Sequence, residues 1–363
     1  MIEIFTSGTK IEGFIEANVT RDLDSFCGQF KVTLSKFKDK NLPIKRHSPI
    51  VIKASGTTIL TGFIEKINIS YGEDFHEIII QGRDKTCDIL DTTVDGSFEF
   101  NPPTSLTSII EQLLSYHGIS GISVINQAGA LKNFEIGDQI SGELGSSLFS
   151  IIETYCRLRQ VLPVTNEDGN LVLIRTTSPA SSGSTLAHKI NNQSNNILSA
   201  EVSYNETKRF NKYIGHSQGN SSALAEQDQE ASDISSRKSE AFDSEVRSSR
   251  QFNFQAERAA SEIDLLDRVK WEANIRRSRA SSYKPKVQGF IKQSGAPWKL
   301  HETVRVFDEF ADIYADLLVC GLEFSYSLSG SITRLTLCVK DAYSLQAEQN
   351  AREARANKQG EKL

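Results

Sequence analysis

Beyond its first residue the chain has no methionine, and its 363 residues include only two tryptophans and eight prolines. None of its five cysteines stands in a Cys-x-x-Cys pair, and no two histidines lie four apart. A zinc ribbon, a zinc finger and a His-Glu-x-x-His peptidase helix are thereby excluded. There is no Gly-x-x-x-x-Gly-Lys-Ser/Thr phosphate loop and no Gly-x-Ser-x-Gly nucleophile elbow. No run approaches eighteen apolar residues, so no membrane-spanning helix is expected. The first residues lack a basic stretch and a long apolar stretch, so no secretory signal is expected either. Cationic residues are outnumbered 41 to 46, a net charge of -5, which argues against a protein whose task is gripping phosphates. The scattered cysteines read as reduced, and Cys320 and Cys338, in strand-like runs, read as buried free thiols. No metal or cofactor is expected.

What the chain does have is pattern. Residues 1–95 are a succession of strands rich in Ile, Val, Phe and Thr, broken by turns such as Asp39–Pro43, Ala54–Gly56 and Tyr71–Asp74. After Asn101-Pro102-Pro103 the period becomes helical, with Leu106, Ile109, Ile110, Leu113 and Leu114 on one face and Gly118 as a stop. A second helix fits 144–158, followed by a hairpin across Asn166–Gly169. Strands resume at 197–204 and 212–216, and a polar excursion occupies 218–249. A helix then spans 256–280 with Ala259, Ile263, Leu266, Val269 and Ala273 in a stripe. More strands follow to 339, and the polar tail 346–363 reads as frayed or disordered.

The two strand-rich regions resemble each other. Ala17-Asn18-Val19-Thr20 can be laid on Ala200-Glu201-Val202-Ser203, which puts Phe30 on Tyr213. Lys45–Ile52 matches Lys299–Val306, Gly62–Glu65 matches Gly321–Phe324, and Ile78–Asp84 matches Leu335–Asp341, all in the same order. The expected fold class is therefore β-rich α+β: two related antiparallel β-barrel domains, an α+β domain and a helix-containing inserted domain. The boundaries are 1–99 for the first barrel, 100–180 for the α+β domain, and 181–216 with 287–345 for the second barrel. The inserted domain is 217–286, and the tail is 346–363.

The run Leu60–Ile67, then Ile80-Gln81-Gly82-Arg83-Asp84-Lys85 followed by Asp88-Ile89-Leu90-Asp91, resembles the baseplate hub proteins of Mu-like contractile-tailed phages. So do Arg268–Glu272 around Trp271, Gly289-Phe290 followed by Gly295-x-x-Trp298, and Gly330–Leu337. Phe290 stands where that family usually has Trp. The resemblance implies a non-enzymatic virion protein of the tail baseplate, made in the host cytoplasm. It implies a homotrimer whose two barrels alternate around a pseudo-sixfold ring, joining the tail tube protein to the central spike protein and touching baseplate wedge proteins. Tape-measure protein or DNA would pass through the lumen only transiently, without membrane insertion. The hub part of type VI secretion spikes shares the architecture, so a phage-derived secretion machine is the alternative device.

Under that reading Gly62, Gly82, Arg83, Asp84, Asp88, Trp271, Gly289, Trp298 and Gly321 are structural motif positions. Arg83 and Asp84 are expected to pair locally in a strand-ending turn, and both tryptophans to pack rather than serve as platforms. Arg276, Arg277 and Arg279 end a helix, where they complement its dipole or touch an acidic partner. Competing classes are a peptidoglycan hydrolase and a receptor-binding adhesin. A hydrolase would need paired carboxylates such as Glu111 and Glu153, each expected on a solvated helix face. A thiol peptidase would need an activated Cys156 beside a histidine such as His117, which fits a helix end better.

Overall fold

The computed structural model describes residues 2–35, 44–95, 101, 103–135, 144–175, 179–190, 194–217, 237–256 and 262–339. The turn at 39–43, most of the polar excursion and the tail lie outside them.

The first strand-rich region forms β1 (Ile2–Thr6), β2 (Thr9–Ile11), β3 (Phe14–Asp22), β4 (Gln29–Ser35), β5 (Pro49–Ala54), β6 (Thr57–Tyr71) and β7 (His76–Asp84). Next come α1 (Cys87–Asp91), α2 (Leu106–Tyr116), β8 (Val124–Asn126), α3 (Leu148–Leu158), β9 (Leu162–Thr165) and β10 (Leu171–Ile174). Then follow β11 (Ala180–His188), β12 (Ile197–Tyr204), β13 (Lys212–Ser217), β14 (Arg237–Phe242), β15 (Gln251–Gln255) and α4 (Glu262–Arg279). The chain closes with β16 (Ser281–Gln288), β17 (Glu302–Asp308), β18 (Ile313–Ser327) and β19 (Gly330–Val339).

Thirteen strands share one sheet, and its pairing order repeats: β3-β4-β7-β6-β5-β1 in one half, β12-β16-β19-β18-β17-β11 in the other. The repeat extends to irregularities. Ile15 is the extra residue of a bulge between β3 and β4, and Leu198 is the extra residue between β12 and β16. Glu65 bulges from β6 and Cys320 from β18. His47 and His301, each just before the strand that follows, both adopt positive φ, 64° and 61°. Alternating strands align by chance; shared bulges and left-handed residues do not. One difference is that β1 meets β5 antiparallel whereas β11 meets β17 parallel.

These irregularities correct parts of the expected alignment. Ala17 on Ala200 and Ile50 on Val304 hold. Glu65, however, is the counterpart of Cys320, so Gly62 falls on Leu317 rather than Gly321, and Gly82 on Leu337. Both slips are even, which keeps every side chain on its face and leaves the alternation blind to them. The expected strand at 212–216 exists, but β13 pairs with β14 and β15 in a separate three-stranded sheet. Phe30 therefore matches Tyr283 of β16, not Tyr213.

Cys320 and Cys338 are not free: they form a disulfide. The bulge places Cys320 beside Cys338, with Cα atoms 6.3 Å apart, within bridging range. Cys27, Cys87 and Cys156 are free and buried.

α2 and α3 bury the expected stripes, and Ser105 and Ser147 cap them by accepting from the amides of Ser108 and Ser150. The β9–β10 hairpin forms as expected. α4 is buried on two sides instead of one stripe. Leu265 and Val269 face the small sheet, while Trp271 and Ile275 pack with Leu23, Val164, Leu318 and the Cys320–Cys338 bridge. It wedges the inserted unit against the large sheet.

Candidate assembly interface

The halves meet where β3 pairs antiparallel with the far part of β18, Gly321 opposite Asp22 through Ser327 opposite Glu16. β17 occupies the same edge of β18 only as far as Leu318, and β3 takes over from there. Phe324 and Val19 pair at this seam and are buried, as is Ala17. Asn18 donates to Glu323 at 2.9 Å, and Arg334 also pairs with Glu323.

The counterpart surfaces on the outer sides of the chain are open. On β6, β5 covers the edge only to Phe63, and the backbone of Ser48 and His47 reaches Ile64. Past Ile64 no described strand pairs on that edge. β12 ends the ladder, with β16 on one side and no described strand on the other. Ile69, the counterpart of buried Phe324, is 64% exposed, and Tyr71 is 76% exposed. On β12, Tyr204 is 73% exposed and Ala200, counterpart of buried Ala17, is exposed. Ile69 and Ala200 are thus exposed where their counterparts Phe324 and Ala17 are buried, while Val202, the counterpart of Val19, is half-buried against the main core. Nothing in the sequence alone distinguishes Ile69 from Phe324; only the pairing order does.

The predicted motif residues support this frame instead of forming one pocket. A Cβ on Gly62 would stand 1.9 Å from the Arg83 carbonyl oxygen, and one on Gly82 1.9 Å from that of Phe63. Glycine at both places lets β6 and β7 approach across the bulge. Arg83 does not pair with Asp84, as neighbours on a strand point to opposite faces. Its guanidinium donates to Glu65 (2.8 Å) and Asp91 (3.1 Å); the two carboxylates keep it firmly protonated, and it in turn holds Asp91 below the usual carboxylate range. Asp84 is buried and accepts from the Gly28 amide (2.7 Å), the Thr86 amide (3.0 Å) and the Thr165 hydroxyl (2.8 Å), tying β7 to the β9–β10 hairpin. Arg21 reinforces that tie through the Thr165 carbonyl and Glu167 at 3.1 Å. Burial works to raise the Glu167 carboxyl, but Arg21 and Lys299 outweigh it and hold the group low.

Asp88 is exposed in the first turn of α1, and Gly289 takes φ +74° in the turn after β16. Trp271 and Trp298 are both buried, the latter in the main core. The three arginines have partners within the chain. Arg276 lies 3.9 Å over the Phe252 ring and pairs with Glu272; Arg277 pairs with Glu245 at 3.2 Å, and Arg279 with Asp24 at 2.7 Å. Gly321 faces Asp22 at the seam, where burial pushes the Asp22 carboxyl up to about 6.

Glu153 pairs with Arg157 on α3, Glu111 is exposed, and His117 caps α2. The Cys156 thiol is fully buried and raised by that burial, the opposite of an activated nucleophile. Among the described residues no group of three His, Cys, Asp or Glu could hold a metal, and no helix is long and apolar enough to cross a membrane.

Three family models match the chain in succession. Residues 1–84 match the N-terminal domain of Mu phage baseplate assembly protein GpP-like proteins, and 86–175 the second domain of baseplate hub protein gp44-like proteins. Residues 262–346 match the fourth domain of Mu phage baseplate assembly protein GpP. The baseplate hub protein gp44 of Escherichia phage Mu is 22% identical over 365 residues, covering 99% of this chain and 92% of that protein. The 43 kDa tail protein of prophage MuSo2 from Shewanella oneidensis shares the fold with a TM-score of 0.78 at 23% identity. That match covers 94% of this chain and 98% of the other. A tail protein from Neisseria meningitidis MC58 shares it at 0.74 and 16%, with the same coverage of each chain.

Proposed function

From the premise that the chain belongs to the baseplate hub proteins of Mu-like phage tails, we propose that it assembles into a closed trimeric ring. The ring joins the tail tube to the central spike and lets DNA through its lumen. One observation carries this reading. The chain contains a complete β3–β18 seam and, at its two outer edges, the unmatched halves of a second such seam.

Laying the internal register on the open edges puts β12 of one chain against β6 of the next, with Val202 opposite Ile69 and Ala200 opposite Tyr71. Addition of a strand to an open edge satisfies backbone donors and acceptors, and the pairing buries the exposed Ile69, Tyr71 and Tyr204. The contact is head to tail, so repetition closes into a ring if the rotation permits. Three chains then give six near-equal half-sheets, with the α+β unit and the inserted unit as alternating appendages. In this division the second half-sheet comprises 179–204 and 281–339, and the inserted unit lies between them. The ring has no catalytic task.

The test is mass in solution. A chain of 40.3 kDa should run by light scattering as a particle of about 120 kDa. Ile69→Lys, at an exposed position, should give a folded monomer with unchanged circular dichroism. A monomeric parent protein at high concentration, even with spike added, would refute the ring.

A further inference from the structure

Between the β9–β10 hairpin and the large sheet lies a cavity of about 510 Å³, within the range of small-molecule sites. Three parts of the fold build it: the end of β3, the hairpin with the segment after β8, and the chain that leads into β17. Its place follows from the seam. β17 reaches along β18 only to Leu318 and β3 begins opposite Gly321, which leaves a notch on that edge beneath the hairpin.

One wall is aliphatic. Leu23, Val164, Val172 and Ile174 are buried there, with Leu300 half-buried beside them. No Phe, Tyr or Trp among the described residues lines the space, so it offers no platform for a base or a sugar.

The other wall is cationic. Arg21, its side chain 4% exposed, is matched by Glu167 at 3.1 Å, and Lys299 acts on the same carboxylate. Glu302 is taken by Lys292 at 2.6 Å. Arg175 is left over. Its guanidinium donates to the backbone carbonyls of Gln160 at 3.2 Å and Arg159 at 2.5 Å, and no carboxylate among the described residues pairs with it. Burial accordingly draws its pKa down with no anion to offset it. A half-buried guanidinium without a counter-ion, set beside aliphatic surface, is suited to an anion from outside the chain.

We propose that this cavity binds a small aliphatic carboxylate, with its charge on Arg175 and its hydrocarbon part against the wall of Leu23, Val164, Val172 and Ile174. Exposed Lys299 is the second cation for the same group. One unmatched guanidinium suits one negative charge, so a carboxylate fits better than a phosphate monoester, which brings about two. An occupant touches all three parts at once and ties the α+β unit to both halves of the sheet. A free acid and the carboxyl end of a peptide share this chemistry.

The full chain is titrated calorimetrically with isovalerate, isovaleramide, inorganic phosphate and the peptide N-acetylglycylvaline. Expected is one saturable site per chain for isovalerate, with the amide and phosphate weaker by about tenfold or more, the scale of one charge-assisted hydrogen bond. Arg175→Gln should weaken isovalerate by about the same factor. Ala180→Trp, at an exposed position on the cavity wall, should block the site without changing a charge. Arg305→Gln, an exposed cation outside the cavity, should leave binding unchanged. Circular dichroism checks the fold of each variant, and Ala180→Trp decides the matter if Arg175→Gln fails to fold. Tighter binding of the peptide than of isovalerate identifies the ligand as a chain end; equal or weaker binding identifies it as a free acid. The proposal is overturned if the parent shows no saturable binding, if acid and amide bind equally, if Ala180→Trp binds like the parent, or if Arg305→Gln weakens binding as much as Arg175→Gln.

Discussion

Gly62 and Gly82 show how a single atom sets the frame. Each would drive a Cβ into the other strand's carbonyl, so Gly62→Ala or Gly82→Ala should lower unfolding free energy by about 2–4 kcal/mol. An exposed substitution on the same strand, Lys66→Ala, should change it by less than about 0.5 kcal/mol in urea titrations. Asp22 makes a pH-dependent case. Burial pushes its carboxyl up to about 6, well above the usual aspartate range; the Asp24 amide, donating to it at 2.7 Å, opposes the rise, as do Arg279 and Lys284, while the Asp24 carboxylate adds to it. The neutral form is therefore favoured in the fold. The stability it contributes is complete below the unfolded pKa and is lost as pH rises through about 6. Asp22→Asn should then stabilise the protein at pH 8 by about 1–2 kcal/mol, after allowance for partial exposure, and leave it unchanged near pH 3.5. Equal effects at both pH values would refute the assignment. Thiol titration of denatured, unreduced protein should find three free cysteines, since Cys320 and Cys338 are bridged.

At the scale of elements, periodicity located α2, α3 and most strands of the two halves because each buries one continuous face, but not β11, whose Ser- and Gly-rich run Ala180–His188 carries no such apolar pattern. It missed what depends on partners. The stripe expected for α4 omitted Leu265, Trp271 and Ile275, because a helix wedged between two cores has no single apolar side. β13 was legible as a strand but not as part of the inserted sheet, for a strand's sequence records its burial and not its neighbour. The even slips in the repeat have the same origin. The open edges were not legible, since Ile69 and Phe324 look alike until one is paired. The wedge has a measurable consequence. Trp271→Ala removes the side chain that joins α4 to Leu23, Leu318 and the bridged cysteines, and should cost about 3–5 kcal/mol. Protease resistance of the inserted unit should fall with it if α4 is the tie; loss of global stability with an unchanged digestion pattern would show that the unit is held by other contacts.

For the whole molecule, the internal seam predicts the external one residue by residue. Phe324 lies opposite Val19 inside the chain, so Ile69 should lie opposite Val202 of the next chain, and Ser70 opposite Glu201. Facing residues of antiparallel strands have Cα atoms about 4.5–5.5 Å apart, inside the range a disulfide spans. A chain carrying both Ile69→Cys and Val202→Cys should therefore crosslink under mild oxidation. The distribution of products separates a ring from an open chain. Head-to-tail contacts that close after three copies convert every protomer into one covalent species of about 120 kDa, with dimers only as intermediates and nothing larger. Contacts that fail to close give a ladder continuing past three. Either single cysteine alone should give no crosslinked ring, and a shifted pair such as Ile69→Cys with Ser199→Cys should react poorly, because a slip of three residues turns the two thiols to opposite faces. Efficient closure by the first pair and failure of the shifted pair would establish both the register and the number of subunits from one gel.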